Sequence, residues 1–170
     1  MADALMYPEV INNFNVYDDG DKMQGTSGEI TLPTLSAITT EISGGGVLGA
    51  YNTSIPGAFQ STQMDIPFRM VGEEYFAMSI ANRQMNLTLR SSIQNVNRET
   101  GGTISSQGMR VVVRGRPTAH NFGTLSQGNL MNASVTLELT YIMIEIGGKN
   151  LFELDKLNSV FKVNGVDLLE

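Results

Sequence analysis

Ala133-Ser-Val-Thr-Leu-Glu-Leu-Thr-Tyr-Ile-Met-Ile-Glu-Ile146 carries the strongest structural signal in the chain. Ala133, Val135, Leu137, Leu139 and Tyr141 alternate with Ser134, Thr136, Glu138 and Thr140, the period-two pattern of a half-buried β-strand. The apolar phase then changes, with Ile142, Ile144 and Ile146 on the opposite parity. Gly147-Gly148 follows and the chain resumes as Asn150-Leu-Phe-Glu-Leu154, which predicts a hairpin closed by a glycine-permissive turn. Fourteen extended residues span about 46 Å, whereas an ordinary strand has about 5 or 6 residues. Such a strand either bends at the phase change or runs past its own core, and in the second case it pairs with something outside the chain.

Working outward, Val10–Tyr17 reads as a strand turned by Asp18-Asp19-Gly20-Asp21 into Lys22-Met23-Gln24. A second strand is expected from Glu29 to about Ile42, with Pro33 marking an edge or a bulge. Gly44-Gly45-Gly46 begins a long irregular connection reaching Phe59, and loops of that length inside compact domains are usually functional or disordered. Alternation returns over Gln60–Met70. Tyr75–Ala81 is the one expected helix, with Glu73 and Glu74 favouring its dipole and Tyr75, Met78 and Ile80 giving it an apolar side. Met85, Leu87 and Leu89 mark another strand, Asn97–Gln107 a polar loop, and Met109–Phe122 the strand before Ala133. Two similar long hairpins, roughly 30–70 and 109–146, stand out. The expected fold is a single all-β domain over residues 1–170, an antiparallel barrel or sandwich with one short helix.

Composition removes several function classes. The chain has no cysteine, so disulfides and thiolate metal sites are excluded. His120 is the only histidine, so neither a histidine-based metal cluster nor a Ser-His-Asp relay can be complete. Asp18-Asp-Gly-Asp21 lacks the alternate spacing and distal Glu of a calcium loop, and Gly44-Gly45-Gly46 lacks the Lys-Ser/Thr of a phosphate cradle. No basic start precedes an apolar run and no run approaches the roughly 20 apolar residues of a membrane span. Synthesis and first folding in a cytoplasm are therefore expected, with no stable membrane insertion. No cofactor, metal or catalytic residue is assigned. Glu41, Asp65, Glu138 and Glu145 could pair as acid and base in a glycosidase, but three of the four lie on the polar faces of the hairpins, without aromatic platforms nearby for a sugar.

The net charge of −6 is unevenly spread: −8 over residues 1–82, +5 over 83–116 and −3 over the remainder. The basic middle lacks interleaved aromatics for base stacking. Complementary contact between copies of one protein accounts for the asymmetry at least as well.

The run Tyr141–Asp155, with Asn158 and the terminal Val163-Asn-Gly-Val-Asp-Leu-Leu-Glu170, resembles the C-terminal signature of the major tail tube proteins of contractile-tailed phages, a family shared with phage-derived contractile bacteriocins. Gly28-Glu-Ile-Thr-Leu-Pro-Thr-Leu-Ser36 is similar to that family's early strand and Val111-Val-Val-Arg-Gly-Arg116 to the strand before its second long hairpin. The resemblance implies six-subunit rings stacked helically into a hollow tube inside a contractile sheath. It implies that the two long hairpins join neighbours into a closed barrel around the lumen, so that no edge is left unpaired. Glu41, Gln63, Asp65, Thr136, Glu138 and Thr140 would then face the lumen. Val47, Leu48, Tyr51, Ile55 and Phe59, on the long connection, would contact the next ring. Arg110, Arg114 and Arg116 share the lumen parity and are candidates for charge pairing with Glu138 or between subunits. Sheath and baseplate or terminator proteins are implied partners, and DNA passes through the lumen without sequence-specific binding. The implied location is a virion tail or bacteriocin particle assembled in a bacterial host. Two other classes stay open on the residues alone, a soluble monomeric β-module binding a ligand or partner, and an enzyme.

Overall fold

The computed structural model describes residues 6–23, 26, 28–78, 83–99 and 101–169. The elements are β1 (Met6–Asp18), β2 (Asp21–Lys22), β3 (Ala37–Ile42), β4 (Tyr51–Phe59), β5 (Gln63–Phe68), α1 (Glu73–Ala77), β6 (Met85–Asn97), β7 (Thr103–Asn121), β8 (Ala133–Ile146), β9 (Lys149–Asp155), β10 (Val160–Val163) and β11 (Val166–Asp167). The large antiparallel sheet runs β11-β10-β9-β8-β7-β6-β1-β2, and β5 joins it at β8; β3 and β4 form a separate two-stranded ribbon. The fold is thus all-β with one short helix, as expected.

The fourteen-residue strand β8 is satisfied inside the chain. One edge pairs with β7 from Ser134 to Ile146, interrupted at Thr140. The other is shared: Ala133–Glu138 pair with β5, and Tyr141–Ile146 pair with β9. At the handover the Leu139 N–H donates to the Thr62 carbonyl at 2.8 Å, and the Lys156 N–H donates to the Thr140 carbonyl at 2.9 Å. The expectation of a partner outside the chain is therefore corrected, and the alternative of a bend holds. Arg114 opposes Tyr141 while the next residue, Gly115, opposes Leu139, so Thr140 is an extra residue in β8. This bulge resets the alternation, so Tyr141 leaves the core face while Ile142 returns to it. A second irregularity, between Pro117 and Ala119, lies where proline has no N–H to give the ladder.

The core lies on one face of the bent sheet. Met64, Ile66 and Phe68 from β5, Met85 and Leu87 from β6, Val111 and Val113 from β7, and Val135, Leu137 and Leu139 from β8 are buried together with Tyr75 and Met78. Leu137 and Ile66 are fully inaccessible. Five residues cannot hold a helix on their own. Packing holds α1: the Tyr75 hydroxyl lies 3.0 Å from the Asn121 carbonyl and 3.1 Å from that of Ser134, tying α1 to the ends of β7 and β8. The helix ends at Ala77, shorter than the expected Tyr75–Ala81, and Ile80 and Ala81 lie outside the described residues.

Four further expectations change. Only Ala37–Ile42 of the Glu29–Ile42 strand is regular. The connection Gly44–Phe59 is not irregular throughout, because Tyr51–Phe59 is β4. Asn97–Gln107 is mostly strand, since β6 and β7 pair out to Asn97 and Thr103. Residues 30–70 do not form one hairpin: β3 pairs with β4, whereas β5 pairs with β8. Nor is a closed barrel present among the described residues. Among the described residues, the gap between the β1–β2 end of the sheet and β5 is crossed by one isolated bridge, from Thr26 to Phe68.

Turn chemistry is where the residues dictated geometry directly. Gly147-Gly148 (φ 59 and 79) closes β8 onto β9, and Asn164-Gly165 (φ 53 and 80) closes β10 onto β11. Both central residues have positive φ, as a type I′ hairpin turn requires.

The reset at Thr140 depends on Gly115, where any Cβ would collide with the Glu138 carbonyl oxygen. Gly115→Ala should lower stability by about 1–3 kcal/mol as overpacking does. Gly108→Ala, on the same strand with open space around it, should stay within about 0.5 kcal/mol. Urea midpoints of the two variants check this; equal shifts would remove the bulge from its central role.

Candidate assembly surfaces

The polar face of the sheet gathers most of the sequence-assigned residues. Gln63 stands opposite Glu138, Asp65 opposite Thr136, and Arg116 opposite Glu138 on the other side. Glu138 accepts from the Ser61 hydroxyl at 2.8 and 2.9 Å through its two oxygens. Thr136 donates to Asp65. Thr140 sits in the bulge at the far end of this row. Glu41 does not join it, because it lies on the separate ribbon opposite Asn52.

The three arginines have three different environments. Arg110 pairs with Glu145 across the β7–β8 ladder at 2.7 Å. Arg114 lies over the Tyr141 ring, 4.4 Å from its centroid, a cation–π contact made possible by the bulge that turns Tyr141 to this face. Arg116 forms no ion pair among the described residues, so its expected pairing with Glu138 is not made within the subunit. Burial pushes the Tyr141 phenol up, Glu153 adds to this, and Arg114 opposes it. Sequence reasoning missed Arg90, which stands opposite Arg110 and lies 5.5 Å from the centroid of Tyr17. Its parity relative to Leu87 and Leu89 was the signal available.

The β3–β4 ribbon is a different kind of surface. Among the large apolar residues assigned there, Leu48 is fully exposed (107%), Tyr51 and Ile55 are about half exposed (54% and 48%), and Val47 is exposed as well. Phe59, at the ribbon's root, is instead half-buried, edge-on to Phe161 at 5.4 Å. The root is tied down by a bond of 2.8 Å from the Gln60 N–H to the Ser36 carbonyl. Lys156 Nζ adds a bond of 2.9 Å to the Gln60 carbonyl. The side on which Phe59 rests is set by the turn after β9. There Asp155 accepts the Leu157 and Asn158 N–H groups at 3.1 Å and the Asn158 side-chain amide at 2.7 Å.

Among the described residues no cluster of acidic or histidine side chains could hold a metal ion, and no helix is long and apolar enough to cross a membrane.

Comparison with known proteins gives a consistent result. The family model described as phage tail tube protein FII matches residues 8–170. The tail tube protein of Escherichia phage P2 is 28% identical over 171 residues, covering 98% of this chain and 95% of that protein. The major tail tube protein of Serratia phage KSP20 is 29% identical over 166 residues, covering 96% and 92%. Two cryo-EM structures of the extracellular contractile injection system PVC, in its extended state, contain chains of similar fold. One, the sheath/tube terminator, has a TM-score of 0.55 at 16% identity, covering 82% of this chain and 97% of that one. The other, from the sheath-tube complex, has a TM-score of 0.56 at 17% identity, covering 82% and 92%.

The turn after β9 yields a pH prediction. Burial raises the Asp155 carboxyl, but hydrogen bonds from Asn158 and Leu157 and the charge of Arg114 outweigh it, so the pKa is lowered below the ordinary 3.8. A depressed carboxylate stabilises the fold above its unfolded pKa and loses that contribution as pH falls through the folded value. Asp155→Asn should therefore be less stable than the wild type at pH 7, with the gap narrowing below about pH 3.8. Urea midpoints from pH 7 to pH 2.5 measure it, and a constant gap would refute the assignment.

Proposed function

We propose a function from one premise: the chain belongs to the phage tail tube protein FII family. It is a structural tail tube subunit, and neither an enzyme nor a free-standing ligand-binding module is favoured. In our reading six copies form a ring, and rings stack with helical rotation into the hollow tube of a contractile tail or related particle assembled in a bacterial host. A sheath surrounds the tube, and terminator and baseplate proteins bound its ends. The names of the PVC sheath/tube assemblies support this setting.

The observation that carries the reading is the ribbon. It leaves the body as an isolated two-stranded sheet with Val47, Leu48, Tyr51 and Ile55 exposed. An isolated hairpin is marginally stable in water, and large apolar side chains grouped on it are what an interaction surface exposes. We assign these residues to contact with the next ring. Phe59 belongs to the hinge at the root and not to that contact.

The polar face with Gln63, Asp65, Thr136 and Glu138 is assigned to the lumen, with Thr140 at its margin. Glu41 would line it only if the ribbon of the same or another copy reaches the bore. Asp65 and Glu138 are offset there by Arg114 and Arg116, so the wall is mixed in charge and not uniformly acidic. Strong phosphate binding needs several cations neutralising successive phosphates. An interspersed wall lets DNA slide through without sequence-specific binding. Arg116, which has no carboxylate partner among the described residues, is the best candidate for an inter-subunit ion pair.

Electron microscopy of the purified protein tests the proposal, with tubes or six-fold rings expected. Leu48→Asp combined with Tyr51→Asp changes only exposed positions, so the far-UV spectrum and unfolding midpoint should stay close to wild type. Elongation should fail, leaving monomers or single rings. Long tubes from this variant would move ring stacking to another surface.

A further inference from the structure

We propose that the C-terminal hairpin clamps the β3–β4 ribbon, with Leu169 seated against a bulge at Gly57, and thereby fixes the direction in which the ribbon leaves the body. The consequence for assembly rests on the reading of the ribbon as a stacking element; the clamp itself does not.

The ribbon's exposure changes sharply along β4, with Tyr51–Pro56 exposed and Gly57–Phe59 half-buried. Gly57 is therefore where the free arm meets the body. The ladder breaks at the same place. Ala37 pairs with Phe59, but the next pair is Thr39 with Ser54, so Ile55–Ala58 bulge against Ile38 alone. Gly57 has φ +77, a left-handed conformation that glycine adopts without strain. A Cβ built on it would stand 2.5 Å from Cδ2 of Leu169 and 3.4 Å from its Cγ, so the missing side chain is the space that the leucine fills.

The tail that delivers Leu169 is itself pinned. The Asn164-Gly165 turn folds β11 back on β10. The Leu168 N–H donates to the Phe161 carbonyl at 2.9 Å, and the Leu169 N–H donates to Asp167 Oδ1 at 2.9 Å. Phe161, on the same hairpin, meets Phe59 edge-on at 5.4 Å and Phe152 at 5.8 Å. The ribbon root is thus gripped at two points two residues apart, Gly57 by Leu169 and Phe59 by Phe161. Losing one grip leaves the other, with the Lys156–Gln60 bond, beside a glycine bulge about which the arm can pivot.

The absence of cysteine allows a direct test. Spin labels on Leu48→Cys at the ribbon tip and Leu157→Cys beside β10, both at exposed positions, report the arm's direction as a distance distribution. The parent should give one narrow distribution. Leu169→Asp, which alters a half-exposed residue outside the core, should broaden and shift it without changing the unfolding midpoint. Gly57→Val, which evicts the leucine from the other side and also strains the backbone at φ +77, should broaden and shift it too, with a lowered unfolding midpoint. An unchanged distribution in Leu169→Asp overturns the clamp, whatever its tubes look like. Electron microscopy of Leu169→Asp without labels then separates the two claims. Slowed or irregular tube growth is the expected result. A broadened distribution with normal tubes would leave the clamp standing and remove the ribbon from ring stacking.

Discussion

Pairing between β7 and β8 organises the subunit, and its decisive detail is one surplus residue, Thr140, next to the Gly115–Leu139 pair, where a side chain at Gly115 would collide with the β8 backbone. A fourteen-residue strand with strict alternation would carry a single apolar face along its whole length. The bulge lets the strand bend and still present Leu137, Leu139, Ile142 and Ile144 to one core. It also marks the point where the opposite edge passes from β5 to β9, so each half of β8 has its own neighbour. Everything downstream follows from that division. The first half builds the core with β5 and α1, and the second carries the C-terminal hairpins on which the ribbon rests.

This division explains which parts of the fold were legible in the chain. The alternation from Ala133, the phase change and the Gly-Gly turn are local properties, and the structure has them at the expected residues. What the phase change meant was not local. A bulge and a protruding strand predict the same pattern on β8, and the choice depends on Gly115 and Thr62, which lie far away in sequence. The hairpin over 30–70 failed for the same reason: β3 and β5 both read as strands, but partner choice is decided by which strand can bury Met64, Ile66 and Phe68 against β8. The span 97–107 looked like a loop because its residues are polar. Those residues extend the β6–β7 hairpin where little apolar surface covers it, so backbone pairing continues without the hydrophobic alternation that signals a strand.

Site residues divide in the same way. Parity along β5, β7 and β8 placed Gln63, Asp65, Thr136 and Glu138 on a common face, because period-two geometry fixes the side of a sheet once the core side is known. Parity could not place Glu41, whose strand belongs to another sheet, or distinguish Arg110, Arg114 and Arg116. Their differences arise from cross-strand neighbours: a carboxylate for the first, an aromatic ring turned outward by the bulge for the second, and Glu138, engaged with Ser61, for the third.

Closing β8 within the subunit changes the argument for assembly without weakening it. A strand lacking a partner would have been a strong demand for a neighbour, met by backbone hydrogen bonds at whatever angle the edge presents. The ribbon is a subtler demand. Its backbone is already paired strand to strand, so what it offers a neighbour is mainly apolar side chains on an arm whose direction is set at Gly57 and Phe59. Side-chain contacts at the end of a lever are sensitive to angle, since a small rotation at the root moves the tip by several ångströms. A subunit that must repeat in one geometry along a tube therefore needs its stiffness at the root, and the C-terminal hairpin packs against that root.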